Sequence, residues 1–160
     1  MIKHIVNAGL IVAVLGGMSG AAIGKPPVFR AVATWTVNPP EPCGAFSTVQ
    51  VRSTQADVDV IELTYQFGNT CDNSFHIVQA TGAGTIDGNL NHLRIVATIA
   101  TSDERPVDVD LTLKKTKDLS DKGPGEKTVS ARATGTVILD GVDLTGGVPT
   151  NDATITRSKS

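Results

Sequence analysis

The chain has 160 residues, with 14 Lys plus Arg against 16 Asp plus Glu and a formal net charge of −2. That balance excludes the basic footprint of a nucleic-acid binder and the basic amphipathic helix of a membrane-surface binder. Aromatic residues make up 4% of the chain, with one Trp and one Tyr, which argues against a sugar-stacking face.

The first segment reads as a secretory leader. Lys3 and His4 precede an apolar stretch from Ile5 to Leu15, and Gly16-Gly17-Met18-Ser19-Gly20-Ala21-Ala22-Ile23-Gly24 follows. Ala22 and Gly24 place small residues at the third and first positions before a cut after Gly24, and Ser19 and Ala21 offer a second such pair. A spanning helix needs roughly 20 apolar residues. This stretch is shorter and is broken by Asn7 and Gly9, so a cleaved signal helix over residues 1–24 is expected rather than an anchor. The expectation is then a single all-β domain over 25–160, secreted or periplasmic, with no stable membrane insertion after cleavage. No Asn-x-Ser/Thr sequon occurs, in keeping with a bacterial exported protein.

Beyond the leader the sequence alternates with period two, rich in Thr, Val, Ala and Ile, which predicts about eight strands. The first runs from Val28 to Val37, with Phe29, Ala31, Ala33, Trp35 and Val37 on one face. The second covers Ala45 to Ser53, with Val49 and Val51 inward. The third covers Val58 to Phe67; its phase slips after Val60, which predicts a β-bulge. The fourth, Ser74 to Ile86, is expected to turn at Asp87-Gly88 into a fifth, Asn89 to Ala100. Pairing Phe75 with Ile99 and Ile77 with Ala97 needs one extra residue, placed at Gly82-Ala83-Gly84. Pro106 opens the sixth, with Val107, Val109, Leu111 and Leu113 inward. Lys114 to Lys127 reads as an exposed loop. The seventh spans Thr128 to Ile138, Asp140-Gly141 marks a turn, and a short strand from Ala153 to Arg157 is last. Short connections and one dry face per strand predict an antiparallel β-sandwich, with an eight-stranded up-and-down β-barrel as the alternative.

Cys43 and Cys71 are the only cysteines. A hairpin of the second and third strands places both at its open end, so outside the cytoplasm they are expected to form a structural disulfide.

Nothing else in the sequence specifies an activity. His76 and His92 share a face but sit far apart along their strands. Asp57 with Asp59, and Asp108 with Asp110, each put two carboxylates on one strand face. That arrangement suits either calcium or an ordinary wet sheet face, and the wet face is favoured. There is no Gly-x-Ser-x-Gly elbow and no His-Glu-x-x-His, so no catalytic residue, metal site or cofactor is assigned. Trp35 reads as core. The reading is an exported non-enzymatic β-domain with a binding, adhesion or envelope-structural role. It would act on a protein, an envelope component or a small ligand through loops such as Asn38–Cys43 and Lys114–Lys127, or through an edge strand. A small-ligand barrel carrier and, behind it, a secreted hydrolase are the alternatives.

Overall fold

The computed structural model describes residues 25–119, 125–150 and 152–159; the leader and its cut at Gly24 lie outside them. The alternating segments form ten strands: β1 (Val28–Val37), β2 (Ala45–Thr54), β3 (Val60–Asn69), β4 (Ser74–Ala83), β5 (Thr85–Gly88), β6 (His92–Thr101), β7 (Pro106–Asp118), β8 (Glu126–Leu139), β9 (Val142–Asp143) and β10 (Asp152–Ser158). No helix occurs among the described residues.

All ten strands lie in one hydrogen-bonded antiparallel sheet. β1, β2, β3 and β4 pair in chain order, as do β6, β7 and β8. β4 meets β6 only at Ala80 and Thr81, opposite Thr101 and Ala100, and β5 carries the pairing with β6 onward. β10 bonds β8 along one side and β1 along the other, so the path of pairings returns to its first strand. The inward residues merge into a single hydrophobic cluster. Leu63, Leu93, Ile95, Leu111, Leu113 and Ile155 are all at most 1% exposed.

Four local expectations are corrected. The third strand carries no bulge: Val58 lies in the turn before β3, Val60 is its first residue and faces out, and regular alternation begins there. Asp57 and Asp59 are therefore turn residues rather than neighbours on a strand face. Gly82-Ala83-Gly84 inserts nothing, because Thr81 opposite Ala100 and Thr85 opposite Val96 are in the same register. Gly82 and Gly84 serve close approach instead: a Cβ on Gly84 would sit 2.6 Å from Ile61 Cγ1 and 2.8 Å from Val96 O. Phe75 and Ile77 accordingly pair with Gly68 and Gln66 of β3 and point to solvent, not to Ile99 and Ala97. The β5–β6 turn falls at Asn89–His92, closed by Asn89 N–H donating to His92 O at 2.8 Å. Finally, Lys114–Asp118 extends β7 and Glu126–Lys127 begins β8, so half of the expected Lys114–Lys127 loop is strand. The Asp140-Gly141 turn forms as expected, both residues at positive φ (50° and 81°).

One core position is polar. Ser53 is 2% exposed, faces Ala31 and Ile61 across the sheet, and its hydroxyl has no hydrogen-bond partner. An unsatisfied buried hydroxyl costs about 1–3 kcal/mol. Ser53→Ala removes that cost with almost no change of volume. We expect the substitution to be neutral or stabilising by up to about 1 kcal/mol, read as an unchanged or raised urea midpoint at constant m-value.

Candidate functional site

The disulfide is where the hairpin argument puts it. Cys43 and Cys71 are bonded, with Cα atoms 5.1 Å apart. The β2–β3 register fixes this: Ala45 opposes Asn69, and the ladder runs on through Thr70 N–H donating to Gly44 O at 3.0 Å. Such a bond is consistent with an oxidising compartment.

The other candidate residues are not brought together. His76 stacks on Phe67, ring centroids 5.1 Å apart, while His92 begins β6 beside the Asn89 turn. Asp108 accepts from Thr98 Oγ1 at 2.8 Å, and Asp110 pairs with Arg94 at 3.1 Å. Both partners of that ion pair are more than half exposed, which makes it worth little to stability. Asp59 accepts from Ala56 N at 3.3 Å and Ile86 N at 2.7 Å, a structural tie between the β2–β3 turn and β5. Asp57 is exposed. Among the described residues no group of three His, Cys, Asp or Glu is placed to hold a metal.

The arrangement with most chemical character is a cleft of about 570 Å3 at one end of the sheet. Its first wall comes from inward-facing residues where the strands run past the core: Trp35 and Val37 of β1, Ser47 and Val49 of β2, and Tyr65 of β3. The second wall is the segment from Val142 to Thr150. The two walls are tied by Trp35 Nε1–H, which donates to Val148 O at 3.0 Å. Trp35 is 7% exposed, as a core residue should be, while Val37 is 60% exposed because it lies beyond the core on the open side.

The second wall is folded by its own short-range bonds. Gly146 and Gly147 both take positive φ, 63° and 70°, which turns the chain back over the sheet. Asp143 Oδ1 accepts from Thr145 N at 3.0 Å and from Thr145 Oγ1 at 2.8 Å. Thr150 N–H donates to Ala133 O at 3.0 Å, and the Thr150 hydroxyl donates to Thr34 O. Thr145 and Thr150 are each 3% exposed, so two buried threonines bracket a Gly-Gly-Val-Pro stretch.

Burial pushes the Asp143 carboxyl up, but hydrogen bonds from Thr145 and from the backbone of Val137 and Gly147 together outweigh it and hold the carboxyl below its usual range. A depressed folded-state value means the stabilisation is present above the unfolded value and lost as the pH falls through the folded one. The segment is therefore expected to loosen below about pH 4. Fluorescence of Trp35, the only tryptophan, should report this in an acid titration, and Asp143→Asn should remove most of the transition.

A larger groove of about 960 Å3 lies on the outer face of β2, β3 and β4, floored by Gln50, Arg52, Glu62, Thr64 and Gln79. Arg52 Nε–H donates to Gln50 Oε1 at 2.9 Å. The lining of this groove is mainly polar. The end cleft has two independent walls and a mixed lining, the ordinary character of a small-molecule seat.

No protein-family model matches the chain, and comparison with curated proteins finds no match. Among solved structures the chain is similar to a crystal structure of a candidate AttH protein from Nitrosomonas europaea, with 13% identity and a TM-score of 0.31, covering 96% of this chain and 58% of that one. The chain thus spans less than two thirds of that protein's length.

Proposed function

We propose that the chain is an exported, non-enzymatic binding domain built as an eight-stranded up-and-down barrel with a filled interior, whose ligand seat is the cleft between Trp35 and the 142–150 segment. The barrel reading is supported by β10, which bonds both β1 and β8 and closes the pairing circuit. A sandwich would leave two separate hydrogen-bonded sheets.

The observation that carries the binding reading is the cleft itself. It has a volume in the range of small-molecule sites, and it is lined by the apolar Trp35 and Val49 on one wall and Leu144 on the other, with the polar Ser47 and Asp143 beside them. The expected ligand is a small molecule with an apolar face and a polar edge. The carrier alternative shares the closed circuit but places the ligand inside. There Leu63, Ile95, Leu111 and Ile155 already occupy the space. Export rests on the leader pattern and agrees with the Cys43–Cys71 bond.

The test is a thermal-shift screen of calcium, sugars and lipids with Trp35 emission read in parallel. A ligand of the cleft raises Tm by mass action and changes the emission, and Val148→Asp weakens both responses. Reproducible turnover by the purified protein, abolished by one carboxylate or histidine substitution, would replace this reading with the hydrolase.

A further inference from the structure

β4 is bonded to β3 along its whole length but to β6 only at Ala80 and Thr81. From Ser74 to Gln79 its second side has no neighbouring strand among the described residues. The direction of the free backbone groups follows from two bonds. Gly84 N–H donates to Asp59 O, and Thr70 N–H donates to Gly44 O, both at 3.0 Å. Hydrogen-bonded pairs alternate along an antiparallel ladder. Odd residues of β3 therefore bond β4, and even residues of β4 bond β3. Phe75, Ile77 and Gln79 are left with N–H and C=O aimed away from the sheet.

The usual protections of such an edge are missing. Ser-Phe-His-Ile-Val-Gln contains no Lys, Arg, Asp, Glu or Pro. Two of its three outward side chains are apolar and open, Phe75 at 56% exposed and Ile77 at 52%; the third is the uncharged Gln79. Phe75 stacks with Phe46 of β2 at 6.3 Å, across Gly68 of β3. A Cβ on Gly68 would lie 2.1 Å from Ser74 O and 2.9 Å from the Phe46 ring, so glycine lets the two rings meet over the strand between them.

We propose that this edge pairs with the same edge of a second copy of the chain. The strand is complementary to itself. A twofold axis at Ile77 sets Ile77 against Ile77 and Phe75 against Gln79, so every facing residue is one whose backbone groups are free. The pairing satisfies the N–H and C=O of Phe75, Ile77 and Gln79 on both copies. The open length also matches. It runs from the β3–β4 turn to the point where β6 joins at Ala80, and the partner offers a segment with the same limits. No formal charges meet, and Phe75 and Ile77 of the two copies form one apolar stripe across the seam. A second copy supplies an edge of the same uncharged character and the same open length at the protein's own concentration.

Sedimentation velocity from micromolar to several hundred micromolar tests this. We expect a concentration-dependent dimer. Ile77→Lys places two like charges directly opposite on the axis and should weaken it by at least about tenfold. The substituted site is half exposed, so circular dichroism and Tm should not move. Ile77→Pro removes one edge donor without touching the β3 ladder and should act in the same direction. Ile77→Cys should give a covalent dimer under mild oxidation. A wild-type chain that stays monomeric throughout the range overturns the proposal. So does a dimer that survives both Ile77→Lys and Ile77→Pro with the fold intact.

Discussion

Leu111→Ala is expected to destabilise the protein by about 3–5 kcal/mol, the upper part of the range for deleting a buried leucine. Leu111 is fully buried at the middle of β7, opposite Ile95 of β6 and Gly135 of β8. Its size matters because Gly135 brings no side chain to the same layer. The glycine is required there: its φ is 121°, and a Cβ would fall 2.0 Å from Asp110 O. The cavity left by the leucine therefore has backbone on one side. That backbone is held, since β8 is bonded to β7 on one side, while on the other Thr150 N–H, the Thr145 hydroxyl and Leu144 N–H donate to Ala133 O, Gly135 O and Val137 O. Little collapse is available, which is the condition under which the cavity cost adds to the transfer cost. Urea denaturation followed by far-UV circular dichroism should show a large fall in midpoint at unchanged m-value. Val142→Ala, at a residue 62% exposed, is the control and should stay within about 0.5 kcal/mol.

The second large effect is expected from the disulfide. Cys43 and Cys71 are 28 apart in sequence, so in the chain-entropy account their bond is worth about 3–4 kcal/mol, chiefly through the unfolded chain. For a domain of this size the double replacement Cys43→Ser, Cys71→Ser should lower Tm by about 10–15 °C. There is also a local consequence. The bond lies at the end of β2 and β3 that runs past the core, where Tyr65 stacks on Phe67 at 4.7 Å and Phe67 on His76. Without the bond, amide exchange should speed up from Ala45 to Ser47 and from Phe67 to Asn69 before it does at Val51 or Leu63. Reduction of the wild-type protein should give the same pattern. Equal protection throughout would mean that the end is held by its aromatic stack alone.

How much of this was legible follows the burial of each strand. Val107, Val109, Leu111 and Leu113 alternate strictly with polar residues because one face of β7 is dry and the other wet, so both strand and orientation are written in the pattern. The same holds for Phe29 to Trp35. The pattern misleads where a strand is exposed on both faces. Phe75 and Ile77 are apolar yet point outward, which makes a core partner look necessary and displaces the expected β4–β6 pairing. Val58 and Val60 mislead likewise, as β-branched residues in and beside a turn. The cleft was the least legible part. Trp35 is recognisable as core from its strand, but its bond to Val148 joins residues 113 apart in sequence. No local periodicity encodes that contact. The available signal was the pair of threonines around Gly-Gly-Val-Pro, and turn composition alone does not say what a turn covers.

The double pairing of β10 bears on the order in which the molecule can be made. Val28 lies opposite Ser158 and Ala131 opposite Ala153, so seven late residues join the first strand to the last long hairpin. A chain emerging amino end first, from a ribosome or through a translocation pore, can assemble β1 to β4 and β6 to β8 as local hairpins. Those two halves join through the β4–β6 and β5–β6 pairings as they emerge, but the circuit cannot close until β10 arrives. Until then β1 and β8 each present an unbonded edge, and the hydrophobic cluster is open along that seam. The chain is thus most vulnerable to wrong association until β10 is in place, and removal of residues 152–158 should be far more damaging than their number suggests.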